Sequence, residues 1–149
     1  METKAELENA LKAAMRAHDE LQKRTLRSAL ASIKLAEVEK NAPLDEAAVL
    51  AILQKEVKSR HEAIADAQRA KRPDLEAQNQ AEIEVLERFL PQPFAPQDLE
   101  KLVRQVIAEE GASSPRDMGR VMKALVPRLQ GRATGEQASQ TVRKVLQEG

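Results

Sequence analysis

Three prolines fall within the segment Leu-Pro-Gln-Pro-Phe-Ala-Pro, at positions 91, 93 and 96. Each fixes φ near −65° and removes a backbone donor, so no helix can run through this stretch. The segment therefore reads as a boundary, with residues 1–92 on one side and 93–149 on the other. Both sides carry helical rather than strand periodicity.

Before the boundary, Leu7, Leu11 and Met15 recur every four residues beside Ala10 and Ala14, while Lys4, Glu8 and Lys12 lie on other faces. A second helix is expected from about Asp19 to Lys40, with Leu26, Ala29, Leu30 and Ile33 as its apolar stripe, and Asn41-Ala42-Pro43 ends it. Asp45 is a plausible N-cap, and Leu44 and Val49 fit a hydrophobic staple around it. Val49, Ile52, Leu53, Val57 and Ile64 carry a third helix to about Lys71. Pro73 and Asp74 open a fourth, in which Leu75, Asn79, Ile83, Leu86 and Leu90 keep helical spacing. The long second and third helices resemble an antiparallel hairpin, but the apolar pattern is not sustained over the three or four heptads of a coiled coil.

After the boundary, Leu99, Leu102, Val103, Val106 and Ile107 match the helical template in full, and Gly111 suits the left-handed residue that follows a helix. Ser114, Pro115 and Asp117 form a capping-box start, and the helix they open should reach about Gln130, with Pro127 near its end and Gly131 stopping it. Thr134 and Gln137 form a second capping-box pair. The helix after them turns Ala138, Val142, Val145 and Leu146 inward. The expected fold is all-α: an amino-terminal four-helix bundle or hairpin followed by a carboxyl-terminal three-helix module.

Composition narrows the chemistry. The chain has 149 residues and no cysteine, which excludes disulfides, thiolate zinc sites and a Cys nucleophile. No apolar run approaches the roughly 18 residues of a membrane span, and the first residues, METKAELENA, lack the apolar stretch of a secretory signal, so a cytoplasmic location is expected and no membrane partner. His18 and His61 are too few and wrongly spaced for a zinc site and read as surface or boundary residues. There is no G-x-S-x-G elbow and no phosphate-binding G-x-x-x-x-G-K-[ST] loop; the nearest glycine pair, Gly131 and Gly135 in GRATG, is explained by one helix stopping and the next starting. The carboxylate pairs Glu6/Glu8, Glu37/Glu39 and Glu82/Glu84 read as solvated helix faces. No catalytic residue, metal or cofactor is indicated.

Charge is more informative by position than in total. The chain as a whole has 24 basic and 24 acidic residues, yet residues 1–94 hold 15 against 17 and residues 95–149 hold nine against seven. Between Arg116 and Arg132 lie Arg116, Arg120, Lys123, Arg128 and Arg132 with Asp117 as the sole acid, a local charge of +4. At about 100° per residue, Arg116, Arg120 and Lys123 fall within roughly 60° of one another, and Met118, Val121, Met122, Leu125 and Leu129 cluster on the opposite side. Gly119 flanks this ridge, where a missing side chain would let a second backbone come close. One reading is a solvated amphipathic helix. The other is a phosphate-contacting ridge. With no Tyr or Trp and only Phe89 and Phe94, both expected in the core at the boundary, base stacking is nearly unavailable, so any RNA would be read by backbone and shape. A further basic flank, Lys23, Arg24, Arg27 and Lys34, leaves open a helical protein–protein adaptor with no RNA role.

The run DMGRVMKALVPRLQGRATGEQASQTVRKVL, preceded by LPQPFAPQDLEKLVRQVIAEEGASSP, resembles the GatB/YqeY signature shared by small YqeY-like bacterial proteins and the tail of the B subunit of the tRNA-dependent amidotransferase. Its most specific piece is Met118-Gly119-x-Val121-Met122-Lys123 followed by Gly131-Arg132. With YqeY-like proteins the resemblance extends over KRTLRSALASIK and KEVKSRHEAIADAQRAKRPDL to nearly the whole chain; with the amidotransferase subunit it is confined to about residues 90–149. The family often has Gly-Arg-Ala-Asp-Gly where Thr134 stands here in place of the Asp, which keeps an N-cap oxygen. The resemblance implies a non-catalytic tRNA-binding or accessory module, with tRNA or a tRNA-modifying or aminoacylation complex as partner. It also carries a family-level association with carbon-nitrogen ligase activity using glutamine as amido donor, for which this chain alone lacks ATP-binding elements and a nucleophile. The positions it matches are Gly119, Lys123, Gly131 and Arg132; Arg116, Arg120 and Arg128 join them from the charge argument.

Overall fold

A computed structural model of the chain describes residues 2–148. Among them are seven α-helices and no strand: α1 (Thr3–Arg16), α2 (Glu20–Lys40), α3 (Glu46–Arg69), α4 (Pro73–Glu87), α5 (Pro96–Glu110), α6 (Met118–Leu129) and α7 (Gly135–Glu148), with a single 3-10 turn at Pro115–Asp117 before α6. Spatial proximity divides the chain into two compact units, one ending at Leu90 and the other beginning at Pro91.

In the first unit the helix starts follow local chemistry. Asp19 accepts from the Gln22 backbone N–H at 3.1 Å and Asp45 from that of Ala48 at 2.8 Å, each satisfying a donor that the first helical turn leaves orphaned. The start of α1 is satisfied from a distance instead: the Glu46 carboxylate accepts from the Thr3 backbone N–H and hydroxyl, both at 3.0 Å. The core joins Leu7 and Ala14, Leu26, Ala29 and Ile33, Val49 and Leu53, and Val85 and Leu86, with Leu44 and Phe89 packed against it.

Two parts of the apolar reading change. Met15 and Leu75 are exposed, because the core receives α1 through Leu7 and Ala14 and α4 through its second half, from Glu82 to Leu86. The glutamates expected on solvated faces also divide. Glu82 is buried and accepts from Arg60 Nε at 3.0 Å, Gln78 Nε2 at 3.3 Å and Arg24 at 3.4 Å; Arg60 in turn donates to Glu56 at 2.9 Å, and Glu56 accepts from the Ser32 hydroxyl. This chain of charges links α2, α3 and α4. Glu37 accepts from Lys4 Nζ at 3.0 Å and from the Leu44 backbone N–H at 3.1 Å, and these donors hold its carboxyl below the ordinary carboxylate range.

The second unit is organised around a core of Leu99, Val103 and Val106 from α5, Val121, Leu125 and Leu129 from α6, and Ala138, Val142, Val145 and Leu146 from α7. Gly111 takes φ +63° after α5, as its position requires. Thr134 and Gln137 exchange both capping bonds at 3.0 Å, each backbone N–H donating to the other's side-chain oxygen.

Candidate nucleic-acid interface

The α6 segment is positioned by its start. Asp117 Oδ2 accepts from the backbone N–H of Ser113 at 2.9 Å and of Ser114 at 3.3 Å, which fixes the turn from which the helix launches. Those two donors, and then the nearby Arg120 guanidinium, hold the Asp117 carboxyl below the usual range. Arg116 lies in the 3-10 turn rather than in α6 itself. Proline at 115 and the Asp117 acceptor favour that tighter turn, so the first residue of the ridge precedes α6.

Val121, Leu125 and Leu129 are buried while Arg116, Gly119, Arg120 and Lys123 are exposed, so the amphipathic reading of this segment holds. The five cations differ in how free they are. The side chains of Arg116 and Lys123 have no hydrogen-bond or ion-pair partner among the described residues. Arg120 lies 3.3 Å from Asp117 across an exposed i, i+3 pair, which leaves most of its donors open to solvent. Arg128 is drawn aside to Glu109 of α5 at 2.7 Å; Gln105 and then Arg128 hold that carboxyl below its ordinary range. Counting Glu109 lowers the local charge from +4 to +3.

Arg132 stands apart from the ridge. Its guanidinium stacks on the Phe94 ring at 4.1 Å from the centroid, its Nε donates to the Gln92 carbonyl at 2.9 Å, and its own carbonyl accepts from the Phe94 N–H at 2.9 Å. The proline segment is thereby fastened to the α6–α7 loop. Gly131 has φ +75° and follows Gln130 at φ +52°, two successive left-handed residues that turn the chain out of α6. Conformation alone accounts for a glycine at 131.

Gly119 behaves differently. A Cβ built there meets nothing within 4 Å, so neither packing nor backbone conformation requires glycine. It leaves a bare strip of helix among Arg116, Arg120 and Lys123. In the first unit, Lys23 pairs with Glu20 at 2.9 Å and Arg24 with Glu82, which neutralises half of the second basic flank. Both histidines are exposed, and among the described residues no three His, Asp or Glu converge as metal ligands. Among the same residues no helix is long and apolar enough to cross a membrane.

The family described as Yqey-like protein matches residues 4–146, nearly the whole chain. The chain belongs to that family. Curated relatives include proteins named "Altered inheritance of mitochondria protein 41, mitochondrial" from three yeasts. The Vanderwaltozyma polyspora protein is 31% identical over 119 residues, covering 75% of this chain and 64% of the relative. The Lachancea thermotolerans protein is 31% identical over 118 residues, covering 77% and 63%. The Kluyveromyces lactis protein is 37% identical over 86 residues, covering 57% and 46%. The chain thus spans less than two-thirds of the length of these relatives.

Proposed function

We propose that this Yqey-like chain is a non-catalytic RNA-binding or accessory protein whose carboxyl-terminal unit contacts the phosphate backbone of a structured RNA such as tRNA. The observation that carries the reading is the face formed by Arg116, Arg120 and Lys123 around a bare Gly119, where two of the three cations have no partner among the described residues. Cations spaced this way reach successive phosphates, and a helix with no side chain on the flank of the row can lie close to a ribose-phosphate strand. The scarcity of aromatics favours a folded RNA over a single strand.

The similarity of residues 90–149 to the tail of the amidotransferase B subunit is part of the same proposal. Under it, the four-helix part (residues 1–92) and the three-helix part (93–149) are also the functional divisions, and the second is the RNA-facing one. Carbon-nitrogen ligase chemistry with glutamine as donor would belong to a complex in which this chain is a component, with no catalytic residue, metal or cofactor assigned to it. The proposal serves a bacterial cytoplasm as well as the mitochondrial compartment in the yeast relatives' names, since both hold tRNA.

The test is tRNA binding across a salt series. The affinity should fall steeply with salt, and replacing Arg116, Arg120 and Lys123 by Gln should flatten the log-log slope by about 0.9 for each duplex phosphate that is no longer neutralised. An affinity and slope unchanged by the triple substitution would reject the interface, and ammonia transfer to mischarged tRNA by the isolated chain would reject its non-catalytic character.

A further inference from the structure

An exposed apolar stripe lies on α2 of the first unit. Leu35 is 60% exposed and Val38 66% exposed, the highest values among the exposed large hydrophobic residues. They sit at i, i+3 on α2, with Ala31 completing an i, i+4, i+7 stripe that faces away from the buried Leu26, Ala29 and Ile33. Beside them runs a groove of about 400 Å³ between α2 and α3, in which Leu35, Ala36 and Ile52 stand beside Ser32, Ser59 and a Glu56 already held by Ser32 and Arg60.

The groove also has a charge on each helix. Glu39 on α2 and Lys55 on α3 line it, are exposed, and have no partner among the described residues. Two opposite, unpaired charges flanking an apolar centre make the surface its own complement. A two-fold axis lying in the face and passing midway between Glu39 and Lys55 exchanges their positions, so that each glutamate meets the other copy's lysine.

We propose that the α2–α3 face is an isologous homodimer interface, occupied by a second copy of this chain. Charge self-complementarity distinguishes this occupant from a generic amphipathic helix, because a two-fold contact satisfies both rim charges twice over with a single surface. The apolar patch is small, so the dimer should be a concentration-dependent one. It does not depend on the RNA-binding reading.

The experiment is sedimentation velocity on the full chain up to about 1 mM, without RNA. The chain should shift reversibly toward twice the monomer mass as concentration rises. Leu35→Glu with Val38→Glu should leave it monomeric, with helical content and thermal midpoint retained because both positions are solvent-facing. Glu39→Lys alone and Lys55→Glu alone should each raise the dimer dissociation constant about tenfold or more, by setting like charges opposite one another, and the two together should restore it. A chain monomeric throughout that range, a dimer indifferent to the Leu35/Val38 pair, or charge swaps that fail to rescue one another would overturn the proposal.

Discussion

The guanidinium of Arg132 lies 4.1 Å above the centroid of the Phe94 ring and donates to the Gln92 carbonyl, so a cation spaced like a phosphate ligand also clamps the proline segment. Arg132→Ala should destabilise the carboxyl-terminal unit by about 1–2 kcal/mol, from removal of the stack and of the charged hydrogen bond. Arg132→Lys should recover little, since an ammonium cannot both stack on the ring and direct a planar donor at Gln92. Urea unfolding of the variants checks this. A salt slope for RNA binding close to wild type in Arg132→Ala would separate this residue from the α6 face.

Arg60 bridges two carboxylates with only 11% of its side chain exposed, against 16% for Glu56 and 10% for Glu82. Arg60→Ala leaves Glu56 with the Ser32 hydroxyl and Glu82 with Gln78 and the 3.4 Å contact to Arg24, too little compensation for two poorly solvated acids, at an expected cost of about 3 kcal/mol. Adding Glu56→Gln and Glu82→Gln should return much of that loss, because the penalty comes from uncompensated charge. Thermal unfolding of the single and triple variants decides it. A triple variant as unstable as Arg60→Ala would show that packing of the arginine stem dominates instead.

Signals a few residues apart are legible in the sequence: the Asp45 cap, the Thr134/Gln137 box, the left-handed Gly111 and the inward set Ala138, Val142, Val145 and Leu146. Each is set by backbone geometry within one or two turns. What stays hidden depends on partners distant in sequence. Glu84 lies on the solvent side of α4, but Glu82, about 200° away, falls within the stripe of Ile83 and Leu86, and what stays hidden is the partner that lets a carboxylate be buried there, Arg60 from 22 positions away. Arg132 reads as one more cation until Phe94 packs beneath it. The ridge itself is visible as a pattern, but the diversion of Arg128, which sets it apart from Arg116 and Lys123 with no partner among the described residues, requires Glu109 to arrive from α5.

Gly119 separates stability from recognition. It lies in the first turn of α6 with open space where a Cβ would be, so Gly119→Ala meets no clash and should stabilise the unit by up to about 1 kcal/mol through helix propensity. If a ribose-phosphate strand rests on that bare backbone, the same methyl should weaken tRNA binding, and Gly119→Leu should weaken it further. Melting temperature and affinity should therefore move in opposite senses. Affinity unchanged by Gly119→Leu would remove this residue from the interface.

Asp117 gives the α6 start a defined pH dependence. Its folded carboxyl is held below the usual range chiefly by the Ser113 and Ser114 N–H donors. A depressed acid binds fewer protons in the folded than in the unfolded chain, so its stabilising contribution is full above the unfolded pKa of about 3.9 and is lost as pH falls through the folded value. Asp117→Asn should therefore cost more stability at neutral pH than below that window, where the wild-type carboxyl is itself protonated. The difference between the two proteins in urea should shrink between about pH 5 and pH 2. A difference that stayed constant across that range would mean that the turn is held by the shape of the side chain rather than by its charge.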